Sequence, residues 1–459
     1  HGTCPAGSTL VGIPIPNVVA AASQRFDVQV FVDGNATGAN DGSSWTDAYS
    51  SDVALKTALD AAVPGTEIYV AAGTHWPDWL NGSRTATFQL KSGVTVLGGY
   101  PSGGGTRDPV ANPTYLSGDI SNATPDYTND SYHVVTGNGT DNSAILDGFT
   151  ILGGSADNTG AYPDDRGAGI LVVNGAPTIR NTIIRDNQAV DGAGAFAVGT
   201  GPNGAAPRFL DVVFRNNTAS SNGGGLSNEF NGATQLIDVT FENNQAALGG
   251  GFYTDWQGGN PQLMNTRFYG NTGTSNGSAI YNEAGGTLLI ENAIVSGNDG
   301  FSAIANYQGS MHLNNVTNAN NTGYGFHLVT LNGTLSLKNS IVSGNTSGQL
   351  PSPSATITVS DSIVQGGSPP GSNVVDSDPL FSDADGADIT FVTSDDDLRL
   401  LVFPTPSPAI DTANNAVEYD CVAAEIEGSF RNVYYNYGFA TEYACDMGAH
   451  EYLGDAGSQ

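Results

Sequence analysis

Eight aspartates fall within 22 positions of the run DSDPLFSDADGADITFVTSDDDLRL, from Asp376 to Asp397. Within it, Asp383, Asp385 and Asp388 keep a D-x-D-G-x-D spacing. A glycine turn at that spacing lets alternating carboxylates converge on a hard cation such as Ca2+. Asp395, Asp396 and Asp397 follow as further oxygen donors. The alternative is a solvated acidic loop, but like charges crowded together repel unless a counterion joins them. The expectation is a structural calcium held by these six side chains.

Other chemistry is harder to assemble. A lyase for acidic polysaccharide needs a Lys or Arg base beside the substrate and a cation to neutralise the uronate. The only lysines are Lys56, Lys91 and Lys338, far apart in the chain. Arg185 and Arg215 hold equivalent places in a repeat described below, with Glu242 and Tyr269 continuing the row. A solvated surface ladder with an Arg–Glu contact explains that row without catalysis. A glycosidase needs two carboxylates at a set separation, yet no Gly-His-Gly or Arg-Ile-Lys motif accompanies the acids, and no G-x-S-x-G elbow is present. No catalytic residue is assigned. Trp76, Trp79, Trp256 and the run NVYYNYGF from Asn432 offer surfaces for a sugar or a subunit contact.

The elements that position these residues follow from composition and repeats. The chain has 459 residues, 14 Lys+Arg against 45 Asp+Glu and a net charge of -31, with 39% hydrophobic residues. That apolar share supplies a large core, while the charge repels nucleic acid and anionic lipid headgroups. No apolar run is long enough to span a bilayer as a helix.

Segments such as TIIRDNQAVDGAGAF, VVFRNNTASSNGGGL, VTFENNQAALGGGF and TRFYGNTGTSNGSAI recur from Thr182 onward. Their shared asparagine falls at Asn187, Asn217, Asn244, Asn271, Asn298, Asn321 and Asn345, at spacings of 30, 27, 27, 27, 23 and 24 residues. A period of this size marks a solenoid. Each unit holds short β-branched or aromatic runs between Asn/Gly turns, with no helical periodicity. Three short strands and three turns fit in that length. The expected fold is all-β, a right-handed single-stranded parallel β-helix. The seven asparagines are expected to stack as a structural ladder, adopting the left-handed corner conformation.

Ahead of the repeats, SSDVALKTALDAAVPGTEIYV predicts an amphipathic helix ended by Pro64-Gly65. Leu55, Ala58, Leu59 and Ala62 share one face, which suits a cap on the open end of the solenoid. The division that results is an extension at 1–26, a cap with the first coils at 27–100, β-helix coils at 101–366, and an acidic loop with a C-terminal cap at 367–459. Leu10, Val11, Ile13, Ile15, Val18 and Val19 in the extension have no repeat partner, so they are expected to add as a strand to a neighbouring subunit. Cys421 and Cys445 close a short loop; either they pair in an oxidising compartment, or with Cys4 they remain buried thiols. A start at His1 rather than Met suggests a processed, exported protein.

The stretch from Val30 to His75, VFVDGNATGANDGSSWTDAYSSDVALKTALDAAVPGTEIYVAAGTH, resembles the entry of secreted bacterial β-helix proteins of the pectin-lyase-like superfold. With DPLF at Asp378, SPAID at Ser407 and DMGAHEY at Asp446, the chain is similar to the exported choice-of-anchor Q group, close to polymorphic outer-membrane-protein repeats. The resemblance spans Phe31 to Tyr452 and implies a β-helix fold and a secreted, extracellular or cell-surface location. It does not specify an activity, because fold does not dictate function. The functional expectation is a non-catalytic structural protein: a cell-surface or filament-forming subunit, adhesive, with itself or a cell-surface component as partner. The alternative is a calcium-assisted lyase or a carbohydrate-binding β-helix acting on acidic glycans.

Overall fold

The computed structural model describes residues 28–79, 82–120, 129–200, 204–255, 259–283, 285–330, 333–350, 356–367, 371–383, 397–400 and 407–409. Its strands stack into three parallel sheets of seventeen, six and nine strands that wind as one parallel β-helix. The first sheet begins at Val28–Val32 and ends at Gly371–Val375.

One coil shows how the sequence produces this path. Arg208–Arg215 lies in the first sheet, Thr218–Asn222 in the second and Leu226–Glu229 in the third. The chain then returns to Gln235–Glu242, in register directly above Arg208–Arg215. Register of this kind places like on like. Phe214, Phe241 and Phe268 stack at 4.9 and 4.8 Å with ring planes 5° apart, all fully buried. Burying one such ring contributes about 2–3 kcal/mol. A single apolar core built this way runs from Val32 to Val364.

Two left-handed corners precede each ladder asparagine. The ladder asparagines themselves are not left-handed, which corrects the expectation from sequence. The residue before each one is: Asp186, Asn216, Asn243, Gly270, Gly297, Asn320 and Gly344, with φ from +54° to +66°. The ladder residue itself lies outside the left-handed region, and its backbone N–H and side-chain amide both run to the next coil. Asn244 sends both to the side-chain oxygen Oδ1 of Asn271, at 3.0 Å each. The row closes at one end on the Gly154 N–H, at 2.9 Å from Asn187 Oδ1, and at the other on Gln349 Oε1, at 2.7 Å from Asn345 Nδ2.

The second corner lies six residues earlier, at Asn181, Asp211, Asp238, Asn265, Asn292, Asn315 and Asn339, again with positive φ. It resets the two-residue alternation inside each long strand. Phe209 and Phe214 therefore both face the core, although five residues apart. Asn and Asp tolerate this backbone conformation better than other residues with a Cβ.

The third turn uses glycine. Gly223 has φ +61°, and a Cβ on Gly225 would meet the Gly251 carbonyl oxygen and the Phe241 ring at 2.6 Å. At the N-terminal end, helix α1 (Ala54–Ala61) buries Leu55, Ala58 and Leu59 over the first coil. Ala62 leaves the helix with ψ 139°, two residues ahead of Pro64.

Candidate functional site

Among the described residues, a cluster of buried titratable side chains lies on the outer surface of the third sheet, under the segment from Asp157 to Arg166. Phe196, Ser227, Tyr253 and Tyr281 form one outward row across Ala195–Val198, Leu226–Glu229, Phe252–Thr254 and Ile280–Asn282. Glu229, Asp255 and Glu283 stand two residues further along their coils. Arg166 reaches over this surface and lies 5.3 Å above the Phe196 ring.

Three carboxylates share that guanidinium. Arg166 contacts Glu229 at 3.1 Å, Asp165 at 3.3 Å and Asp191 at 3.6 Å, and each of the three acids is only 5–6% exposed. The Ser227 hydroxyl donates to Glu229 Oε1 at 3.0 Å, and the Asn222 N–H to Asp191 Oδ1 at 3.0 Å. Burial raises the Glu229 carboxyl, and the nearby Asp191 charge raises it further against the pull of Arg166, to about 7. Burial likewise raises Asp191. Burial alone would lower Arg166, but the charges of Glu229, Asp191 and Asp165 outweigh it and raise it. The cluster therefore holds a proton near neutral pH. Beside it, the Tyr253 hydroxyl donates to Glu283 Oε2 at 2.5 Å; burial first, then that carboxylate, raises the phenol.

A carboxyl protonated near neutrality is what a general acid requires. Here, though, every acid contacting Arg166 is buried, and its guanidinium is shared among the three. The arrangement clamps the covering segment to the sheet. Sequence reading missed it because Arg166 and Glu229 are 63 positions apart and meet only through the winding of the coils.

Lys56, Lys91, Arg185 and Arg215, singled out from sequence, have structural work. Lys91 Nζ donates to the carbonyls of Asp60 at 2.7 Å and Ala62 at 3.2 Å, closing the C-terminal end of α1, and Lys56 pairs with Asp60 at 2.6 Å. Arg185, Arg215, Glu242 and Tyr269 are indeed aligned in register across four coils. Arg215 pairs with Glu242 at 2.7 Å and Arg185 with Asp186. Deeper in the first sheet, Arg107 and Arg180 both hold Asp147 at 2.6 Å.

Aromatic rows offer ring edges rather than open faces. Tyr253 and Tyr281 stack at 5.9 Å, Phe31 and Tyr69 at 5.3 Å, and Trp76 packs on Trp79 at 4.2 Å. Register causes the first two: a ring repeated on adjacent coils covers its neighbour's face.

Asp383 and Asp397 occupy opposed positions of an antiparallel pair formed by Phe381–Asp383 and Asp397–Leu400. Asp385, Asp388, Asp395 and Asp396 lie outside the described residues, as do Leu10, Val11, Ile13, Ile15, Val18, Val19, Cys4, Cys421, Cys445 and Trp256. Among the described residues, no group of three or more His, Cys, Asp or Glu is disposed to hold a metal. Also among them, no helix is long and apolar enough to cross a membrane.

Two stretches, 211–229 and 238–255, match the Chlamydia polymorphic membrane protein repeat. The solved structure of pectate lyase Pel9A aligns with 92% of this chain and 96% of its own at a TM-score of 0.50 and 16% identity. The chain is a right-handed parallel β-helix. Two more solved structures align at lower similarity. The Azotobacter vinelandii mannuronan C-5 epimerase AlgE6 A-module covers 72% of this chain and 96% of its own, at 16% identity and a TM-score of 0.31. The Yersinia enterocolitica family 28 exopolygalacturonase covers 77% and 79%, at 13% identity and 0.23. No curated protein sequence matches the chain. At these identities the likeness to enzymes concerns the fold alone. The matched repeats include two ladder asparagines, Asn217 and Asn244, and one clamp acid, Glu229.

Proposed function

We propose that this β-helix is an extracellular, cell-surface structural protein and does not turn over a glycan. The observation that carries the reading is how its cations are used. Lys56 and Lys91 bind the capping helix, and Arg107, Arg166, Arg180, Arg185 and Arg215 each engage a carboxylate. A lyase needs such a cation free beside a uronate. The two polymorphic membrane protein repeats support the surface location. The test is incubation of the purified chain with pectate, alginate and chondroitin in the presence of calcium. No unsaturated product should form; a sustained rise in its ultraviolet absorbance with any of the three would overturn the proposal.

The same reading extends to self-association and to calcium. A solenoid end pairs with another chain unless covered, and Leu10 to Val19 is proposed as the strand donated to a neighbouring subunit. Removing residues 1–26 should then leave folded monomers where the full chain forms polymers. Calcium at Asp383, Asp385, Asp388 and Asp395 to Asp397 would relieve the repulsion of that acidic segment. Calorimetric titration of the chelated protein should show calcium uptake that a chain with these six changed to Asn lacks.

A further inference from the structure

Glu291, Asn314 and Lys338 form one row on the outer surface of the first sheet. They lie on three successive coils, in Thr287–Ser296, Gly309–Ala319 and Gly333–Lys338, with Glu291 opposite Asn314 and Asn314 opposite Lys338. Adjacent strands are about 4.8 Å apart. The carboxamide thus stands one strand from the carboxyl and one from the amine, whose backbones are about 9.6 Å apart, a span that a Glu and a four-carbon Lys stem turned toward each other can close. All three are half-buried.

The surroundings favour acyl chemistry. The corner residues Asn292, Asn315 and Asn339, each next in sequence to one of the three, are fully buried. The Asn339 side-chain amide donates to Asn314 Oδ1 at 3.2 Å. That bond draws electron density from Cγ of Asn314 and would stabilise an oxyanion formed there. Burial also raises the Glu291 carboxyl, so it accepts a proton more readily than an exposed one.

We propose that Lys338 forms an intramolecular isopeptide bond with Asn314, with Glu291 relaying the proton. Lys338 gives a proton to Glu291, and its neutral Nζ attacks Cγ of Asn314. A C–N bond forms as the carbonyl π electrons move onto Oδ1, toward the Asn339 donor. Collapse breaks the Cγ–Nδ2 bond, and the nitrogen leaves with the Nζ proton and the Glu291 proton as ammonium. One ammonium and one carboxamide become one secondary amide and one ammonium ion, without oxidant, metal or cofactor. The bond would staple two adjacent coils covalently, independently of whether the protein acts at a cell surface.

Intact-mass measurement of the full folded chain tests this. The mass should fall about 17 Da below that of the sequence, the loss of one ammonia, and fragmentation should identify a peptide linking Asn314 to Lys338. Lys338→Arg and Asn314→Ala should each restore the full mass, and Glu291→Gln should leave most of the chain unlinked. An unshifted wild-type mass overturns the proposal whatever the variants do. So does an ammonia loss that persists in Lys338→Arg, since that marks a succinimide at an Asn-Gly step such as Asn276-Gly277.

Discussion

Asn217 directs both its backbone N–H, at 3.1 Å, and its side-chain amide, at 2.9 Å, onto the single side-chain oxygen Oδ1 of Asn244 one coil above. Asn244 is fully buried and repeats the arrangement toward Asn271. Each rung therefore satisfies two donors of its neighbour.

Replacing Asn244 with alanine strips the acceptor from two buried donors of Asn217 and opens a small void. A loss of about 3 kcal/mol is expected, read from the midpoint of urea unfolding. Asn187, which ends the row by accepting one donor, the Gly154 N–H, should tolerate the same change with a smaller loss.

Gly225→Ala places a methyl group 2.6 Å from the Gly251 carbonyl oxygen and from the Phe241 ring. Neither the backbone of the next coil nor the stacked ring can withdraw cheaply. Destabilisation of about 2 kcal/mol is expected. Gly103→Ala serves as a control: its Cβ meets nothing within 4 Å, and only its φ of +78° opposes the change.

The Glu229 carboxyl, raised from 4.5 to about 7, makes the folded chain bind more protons than the unfolded chain between those values. Stability should therefore fall as pH rises through that window, by an amount on the order of 3 kcal/mol. Glu229→Gln should flatten the decline and be the more stable protein at pH 8. Thermal midpoints at several pH values check the sign.

Asp147 behaves oppositely. Burial alone would raise its carboxyl, but the Asn181 hydrogen bond and the Arg107 and Arg180 charges outweigh it and hold it below the usual range. Its contribution is complete above the unfolded value near 3.8 and is lost as pH falls through the lower folded value. Asp147→Asn should cost about 2 kcal/mol at neutral pH, below the range for a fully buried pair because the Arg180 side chain is 40% exposed. The variant should also unfold with less acid dependence.

Phe241→Ala removes the middle ring of the Phe214–Phe241–Phe268 stack. A loss of about 4 kcal/mol is expected from guanidinium unfolding, larger than for Val239→Ala on the same strand.

The recurrence of NN, GN and DN pairs at roughly two-dozen-residue intervals was enough to identify the solenoid and its turns. Parallel register converts a sequence period directly into a column of contacts. The second corner was equally present in the sequence, as an Asn or Asp six positions before each ladder residue. Its meaning stayed hidden because such a residue inside an apolar strand resembles a surface position in a strand of period two. Only the reversal of facing, with Phe209 and Phe214 both inward, reveals a left-handed bend.

What the sequence by itself determined is therefore everything that repeats: coil length, the phenylalanine and asparagine columns, the glycine turns and the helix that caps them. These follow from local preference and period, which need no knowledge of distant residues. Tertiary structure alone decided what does not repeat. Arg166 meets Asp191 and Glu229 because a segment between coils folds back over the third sheet. Glu291, Asn314 and Lys338 fall in one row only because unequal coil lengths still bring their strands into register. Charge and burial at those places arise from three-dimensional proximity, which no spacing along the chain encodes.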